Sequence, residues 1–164
     1  MGITLKTSER ELNKKFKEAE QSIINNIVRV LRYCGEMAVN EARNNGNYKD
    51  QTGNLRNSIG YVIAINGKIL DENFIESVSS SQQSSENGLK IGRDLAIQIA
   101  KETPEISLVV VAGMKYASHV ESKGRNVLTS AENLAKRIIP ELLSKLKWKK
   151  QYLMLNNGFM SYLM

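Results

Sequence analysis

Apolar residues recur at Leu12, Phe16, Ala19, Ile23, Ile27, Val30, Cys34, Met37 and Ala38, in steps of three and four. That spacing lays them along one face of a single helix, and Val28, Leu31 and Ala42 widen the stripe. Ser8-Glu-Arg-Glu11, just ahead, is a capping box: the Ser8 hydroxyl accepts from the Glu11 amide while Glu11 reaches back. Asn44-Asn-Gly-Asn ends the pattern. One helix is predicted over residues 9–44, roughly 50 Å long at about 1.5 Å per residue. In a chain of 164 residues such a helix outruns any sheet that it can pack on. Part of its stripe is therefore expected to meet something beyond that sheet.

The strand signals are fewer but clear. Tyr61-Val-Ile-Ala-Ile65 and Lys68-Ile-Leu70 flank Asn66-Gly67, the favoured pair for a two-residue type I′ turn, so 58–75 reads as a hairpin. Ile106-Ser-Leu-Val-Val-Val-Ala112 is the strongest strand in the chain, closed by Gly113. Between them, 76–88 is rich in Ser and Gln with little to bury, and reads as a surface loop. A short helix follows on Ile91, Leu95, Ala96, Ile97, Ile99 and Ala100, ending near Thr103 because Pro104 restricts the residue before it. Thr129 or Ser130 is expected to cap a last helix whose face runs from Ala131 through Leu134, Ile138 and Leu142 to Leu146. Pro140 lies inside it, where a kink or break is expected. The fold class is α+β: a long N-terminal helix and a C-terminal helix on a small, mainly antiparallel sheet. Residues 1–148 read as one domain, and 149–164 as an apolar tail that packs back, docks on a neighbour or stays disordered, with Tyr152 and Phe159 among the interface candidates.

Charge and chemistry narrow the function. The net charge of +6 resides in the last third, where residues 113–164 hold nine basic and three acidic groups. Lys145-Leu-Lys-Trp148-Lys-Lys150 is its densest part, and suits either a solvated helix end, nucleic acid or an acidic protein surface. No apolar run approaches the roughly 20 residues of a membrane span, and no secretory signal is expected at the start. A single cysteine, Cys34, allows no intrachain disulfide and is read as a buried core thiol. With one histidine and one cysteine, a zinc site within the chain is ruled out. Asp50, Asp71, Glu72 and Asp94 lack ligand spacing for Mg²⁺ or Ca²⁺. His119 follows Ser118 but has no nucleophile motif around it. No phosphate-cradling glycine loop is present. The chain is expected not to be an enzyme, and to use no cofactor and no small-molecule substrate.

Two polar stretches stand out instead. Asp50-Gln-Thr-Gly-Asn-Leu-Arg-Asn-Ser-Ile59 is a turn that opens into a strand, and Tyr116-Ala-Ser-His-Val-Glu-Ser-Lys-Gly124 is a compact loop between a strand and a helix. Thr52 and Asn54 are suited to bond their own backbone, and Leu55 and Ile59 to anchor the turn in the core. Arg56 is then left to reach another segment, with Glu121 as the candidate partner, either within the chain or across a subunit contact.

Together these stretches resemble the tailed-phage neck and tail-completion proteins typified by gene product 10 of phage HK97. The resemblance runs from about Leu12 to Trp148. It rests on Thr52-Gly53-Asn-Leu55-Arg56-Asn-Ser58, Val109-Val-Val-Ala-Gly113, Tyr116-Ala117, Val120-Glu121 and Gly124, in that order between helices. It implies a virion subunit made in the bacterial host cytoplasm and placed at the head–tail junction. There it would form a homo-oligomeric ring between head-completion or portal proteins and tail proteins, with DNA passing transiently and non-specifically through the lumen and no membrane contact. The runner-up is a nucleic-acid-binding module built on the basic C-terminal third. The 76–103 region is longer than the family pattern, and the apolar tail lies outside it.

Overall fold

The computed structural model describes residues 8–76 and 87–146. Its elements are α1 (Glu9–Asn44), α2 (Asn54–Asn57), β1 (Ile59–Ile65), β2 (Lys68–Asn73), α3 (Gly88–Glu102), β3 (Ile106–Ala112), α4 (Ala117–Ser122) and α5 (Thr129–Lys145). Trp148, Tyr152, Phe159, the apolar tail and most of the 76–88 loop lie outside the described residues.

The long helix forms as its pattern dictates. Ser8 is the N-cap, its hydroxyl accepting from Glu11 N at 3.3 Å, and α1 continues for 36 residues. The hairpin also forms, with Asn66 and Gly67 both at positive φ as a type I′ turn demands. The sheet has three strands in the order β2-β1-β3, all antiparallel. The fold is thus α+β.

Strand β1 is buried on both faces. Ile59, Tyr61 and Ile63 point to α1, where they meet Leu31, Ala38, Val39 and Ala42, with Ala131 of α5 joining the same cluster. Val62 and Ala64 point the other way, to Ala96 and Ala100 of α3. Strand β3 alternates likewise: Leu108 and Val110 join the α1 side, and Val109 and Val111 the α3 side. The result is three layers, with α1 and α5 on one face and α3 on the other. Cys34 is fully buried, and burial pushes its thiol pKa up.

Helix α3 lies unusually close to its neighbours because its inner ridge is Gly88, Gly92, Ala96 and Ala100, at four-residue intervals. A Cβ on Gly92 would collide with the Ser58 carbonyl oxygen, and one on Gly113 would collide with the Gly92 backbone. One face of α1 makes a similar concession: a Cβ on Gly35 would stand 2.8 Å from the Tyr61 ring. Glycine inside a helix costs about 1 kcal/mol relative to alanine. Burying the tyrosine ring offsets that cost, since a large side chain contributes about 1.5–3 kcal/mol.

Three local expectations are corrected. Residues 117–122 form a short helix rather than a loop. Of the kink or break expected at Pro140, the break does not occur, and α5 runs through it. Neither Thr129 nor Ser130 caps α5; Leu128 occupies the cap position without a side-chain bond.

Gly92→Ala tests the close approach. Overpacking against a rigid carbonyl should cost about 2–3 kcal/mol in urea unfolding. An unchanged unfolding midpoint would show that α3 is free to shift.

Candidate functional site

The two polar stretches meet at one corner of the molecule. Gly53 takes φ +71°, the left-handed region that only glycine enters without strain, and so turns the chain into α2. Asp50 Oδ2 accepts from Arg56 N at 2.9 Å, satisfying an otherwise orphaned amide of that one-turn helix. Thr52 Oγ1 accepts from Asn54 N at 3.4 Å. At the other end, the Ser58 hydroxyl donates to Leu55 O at 2.7 Å, and Ser58 O accepts from Gly113 N at 3.2 Å. The turn is therefore tied to the end of β3.

Leu55 is the anchor it was expected to be. It is 2% exposed and packs with Met114, Ala117 and Val127. Val120 and Leu128 pack against the same cluster, so one apolar knot joins both stretches. Tyr116 precedes α4 and is 40% exposed, and its carbonyl accepts from Val120 N. His119 and Ser118 are exposed on α4. Gly124 ends that helix at φ +73°, its amide donating to Glu121 O at 2.9 Å, in the manner of a left-handed helix stop.

Glu121 does not pair with Arg56, and the expected bridge between the stretches is replaced by two separate contacts. Glu121 Oε1 accepts from Leu128 N at 3.0 Å, Thr129 N at 2.8 Å and Thr129 Oγ1 at 2.6 Å. A carboxylate from α4 thus caps the N-terminus of α5, where the helix dipole also favours negative charge. Burial by itself would raise its pKa, but these hydrogen bonds outweigh it and hold the carboxyl below its usual value. Arg56 lies over the Tyr48 ring, 5.5 Å from its centroid, in a cation–π contact. The Tyr48 hydroxyl is pushed up by burial, an effect that Arg56 opposes.

Asn126 completes the corner. Its Oδ1 accepts from Ser130 N at 3.0 Å, its amide nitrogen donates to Asn45 O at 3.1 Å, and its own backbone N donates to Asn47 Oδ1 at 2.7 Å. Arg125 donates to Asn47 O at 2.9 Å. The first turn of α5 is thereby fixed beside the end of α1. The local sequence offers Asn126 only Ser130 as a partner; the contacts that join it to the end of α1 lie about 80 residues away in the chain.

A second polar group lines the outer edge of β2. Glu36 Oε1 accepts from Tyr61 Oη at 2.9 Å and Asn73 Nδ2 at 2.7 Å. Arg43 donates to Ile59 O at 2.6 Å and Ile75 O at 3.0 Å, and burial lowers its pKa. Arg32 pairs with Asp71 and Arg93 with Glu72. A cleft of about 520 Å³ lies among these groups. Sequence spacing hides this set because its members come from four elements, α1, β1, β2 and α3. Among the described residues, no three His, Cys, Asp or Glu side chains lie close enough to hold a metal ion, and no helix is long and apolar enough to cross a membrane.

Most of the residues singled out in the sequence are thus used in joining elements. Thr52, Gly53, Leu55, Ser58, Glu121 and Gly124 shape or bind the corner, whereas Arg56 and Tyr116 reach its surface. Two variants check this. Leu55→Asp should cost several kcal/mol and leave the chain unfolded or aggregated, because the charge has no partner in the knot. A soluble variant with unchanged unfolding would show that Leu55 faces outward. Glu121→Ala should cost about 1–2 kcal/mol, as lost helix caps do. Because its folded pKa is depressed, Glu121 contributes fully above the unfolded carboxyl value of about 4.3 and loses that contribution as pH falls through the lower folded value. The stability gap between wild type and Glu121→Gln should therefore shrink below about pH 4 in urea titrations. A gap that is the same at pH 3 and pH 7 would refute the capping role.

A family model described as "Bacteriophage HK97-gp10, putative tail-component" matches residues 10–122, more than half of the 164-residue chain. The matched span includes both polar stretches except for Lys123 and Gly124, and ends before α5. No curated protein and no solved structure matches the chain.

Proposed function

Because the chain belongs to the HK97 gp10-like family of bacteriophage tail components, we propose that it is a neck or tail-completion subunit that forms a ring joining head to tail. It acts by shape and charge rather than by catalysis. Its neighbours are further copies of itself, portal or head-completion proteins on one side, and tail proteins on the other. DNA passes through the lumen without being read.

The observation that carries this reading is the family match across both stretches that build the corner. The overlong α1 supports it. At about 1.5 Å per residue, α1 spans about 54 Å and α5 about 25 Å. With α5 fixed at the end of α1, much of the N-terminal part of α1 continues past it, and Phe16 there is 58% exposed. A ring subunit has neighbours to cover such a surface, and repeats each small contact around the ring. The basic C-terminal third offers the alternative, a nucleic-acid module, less. Within the described part, Lys136 and Lys145 already pair with Glu132 and Glu141.

Heads and tails produced without this chain should remain separate, and adding the purified chain should restore joined, infectious particles. Its DNA binding should be weak and lost near physiological salt, as for a few exposed phosphate contacts. Tight, salt-resistant DNA binding together with no effect on joining would replace this reading with the nucleic-acid module.

A further inference from the structure

The two edges of the sheet are built differently. The β2 edge is guarded. Ile63 pairs with Asp71 and Ala64 with Ile69, so Leu70 is an extra, bulged residue. Charged Lys68, Asp71 and Glu72 line this strand, and the Arg32–Asp71 and Arg93–Glu72 pairs stand beside it. Bulges and charges of this kind prevent a further strand from adding.

The β3 edge has none of these devices. Residues 106–112 carry no charge, no proline and no bulge, and their pairing to β1 is regular throughout. Gly113 N donates to Ser58 O and Asn66 N to Glu105 O, which fixes the phase of the ladder at both ends. In an antiparallel pair, bonded and non-bonded positions alternate. Val111, Val109 and Ser107 thus turn their peptide groups toward β1, while Ile106, Leu108, Val110 and Ala112 turn theirs outward. Among the described residues, those four outward amides and carbonyls have no hydrogen-bond partner. Such a row of free groups on an apolar strand is a template for one more strand.

We infer that in free solution two copies of this chain join edge to edge through β3, antiparallel about a two-fold axis at Val109. The occupant is a second copy for two reasons. An uncharged strand is matched by itself, and the other edge of a second copy is closed by its bulge and charges. With the axis at Val109, Leu108 faces Val110 of the other copy and Ile106 faces Ala112. All four outward residues of each strand are then bonded, with about eight N–H···O=C bonds across the axis. The sheet becomes continuous through the dimer, and the contact closes at two copies because it is isologous. This inference rests on the sheet edges alone and not on the tail-component reading. A ring needs a heterologous contact, which must use another surface.

Sedimentation equilibrium of the full chain should show a monomer–dimer equilibrium. Amide hydrogen exchange of the same wild-type protein should locate it. Amides of Val109 and Val111, bonded to β1, should be protected at every concentration. Those of Leu108 and Val110 should become protected only as dimer forms. Val110→Pro removes an outward N–H while leaving the β1 ladder intact, and edge positions of this kind accept proline. It should weaken dimerisation about ten-fold or more. A protein that stays monomeric, or a dimer in which Leu108 and Val110 amides exchange as fast as in the monomer, overturns the inference. Protection of those amides that appears only when a different protein is added overturns it as well, and assigns the edge to that partner.

Discussion

Helix α3 can lie against the sheet only because its inner ridge carries no side chain larger than a methyl group, and the arrangement around it follows from that approach. The Ser58 carbonyl oxygen sits where a Cβ on Gly92 would stand, and the same oxygen accepts from Gly113. One atom therefore marks the meeting of the 50–58 turn, the end of β3 and the start of α3. If α3 stood a side chain further out, Val62, Ala64 and Val111 would lose their cover. At about 1.5–3 kcal/mol for each large apolar side chain buried, that loss would rival the stability of a small domain. Ser58 in turn holds α2, and α2 places Leu55 in the knot with Met114, Ala117 and Val127.

The other face is organised from the far end of α1. Asn126 and Arg125 bind the chain that follows α1, and Glu121 caps α5, so α5 can only run back along the long helix. The length mismatch between α1 and α5 then decides which surface is left over. The part of α1 nearest the sheet is covered by β1, β3 and α5, and its first turns are not. The expectation that the stripe outruns its sheet is thus met by geometry, and the proposed ring contact has that region to use.

What could be read from the sequence divides along physical lines. Local signals were legible. The Leu12–Ala42 stripe and the Ser8 box specify α1, Asn66-Gly67 specifies the hairpin turn, and Pro104 ends α3 where expected. Signals that depend on distant partners were not. Thr129 looks like a helix cap because its residue type suits the role, but a carboxylate eight residues earlier takes it. Arg56 and Glu121 have opposite charges in neighbouring stretches, yet each finds a nearer partner. The third layer had a trace in the sequence. Gly88, Gly92, Ala96 and Ala100 repeat every four residues, and Ile59 to Ile65 is apolar or small without alternation, as expected of a strand covered on both faces.

The two stretches that identify the family are mostly internal scaffold in this chain. Gly53 is needed for its backbone angle, Leu55 for the knot, Ser58 for the join to β3, and Glu121 for the cap. None of these roles selects a partner. Among the described residues, the proposed contacts then have the first turns of α1 and the outer edge of β3 to use. These surfaces differ in symmetry as well as place. An edge paired with itself closes at two copies, whereas a ring grows through unlike surfaces meeting head to tail. A chain that carries both kinds can remain a closed pair when free and still present a distinct helical surface for assembly.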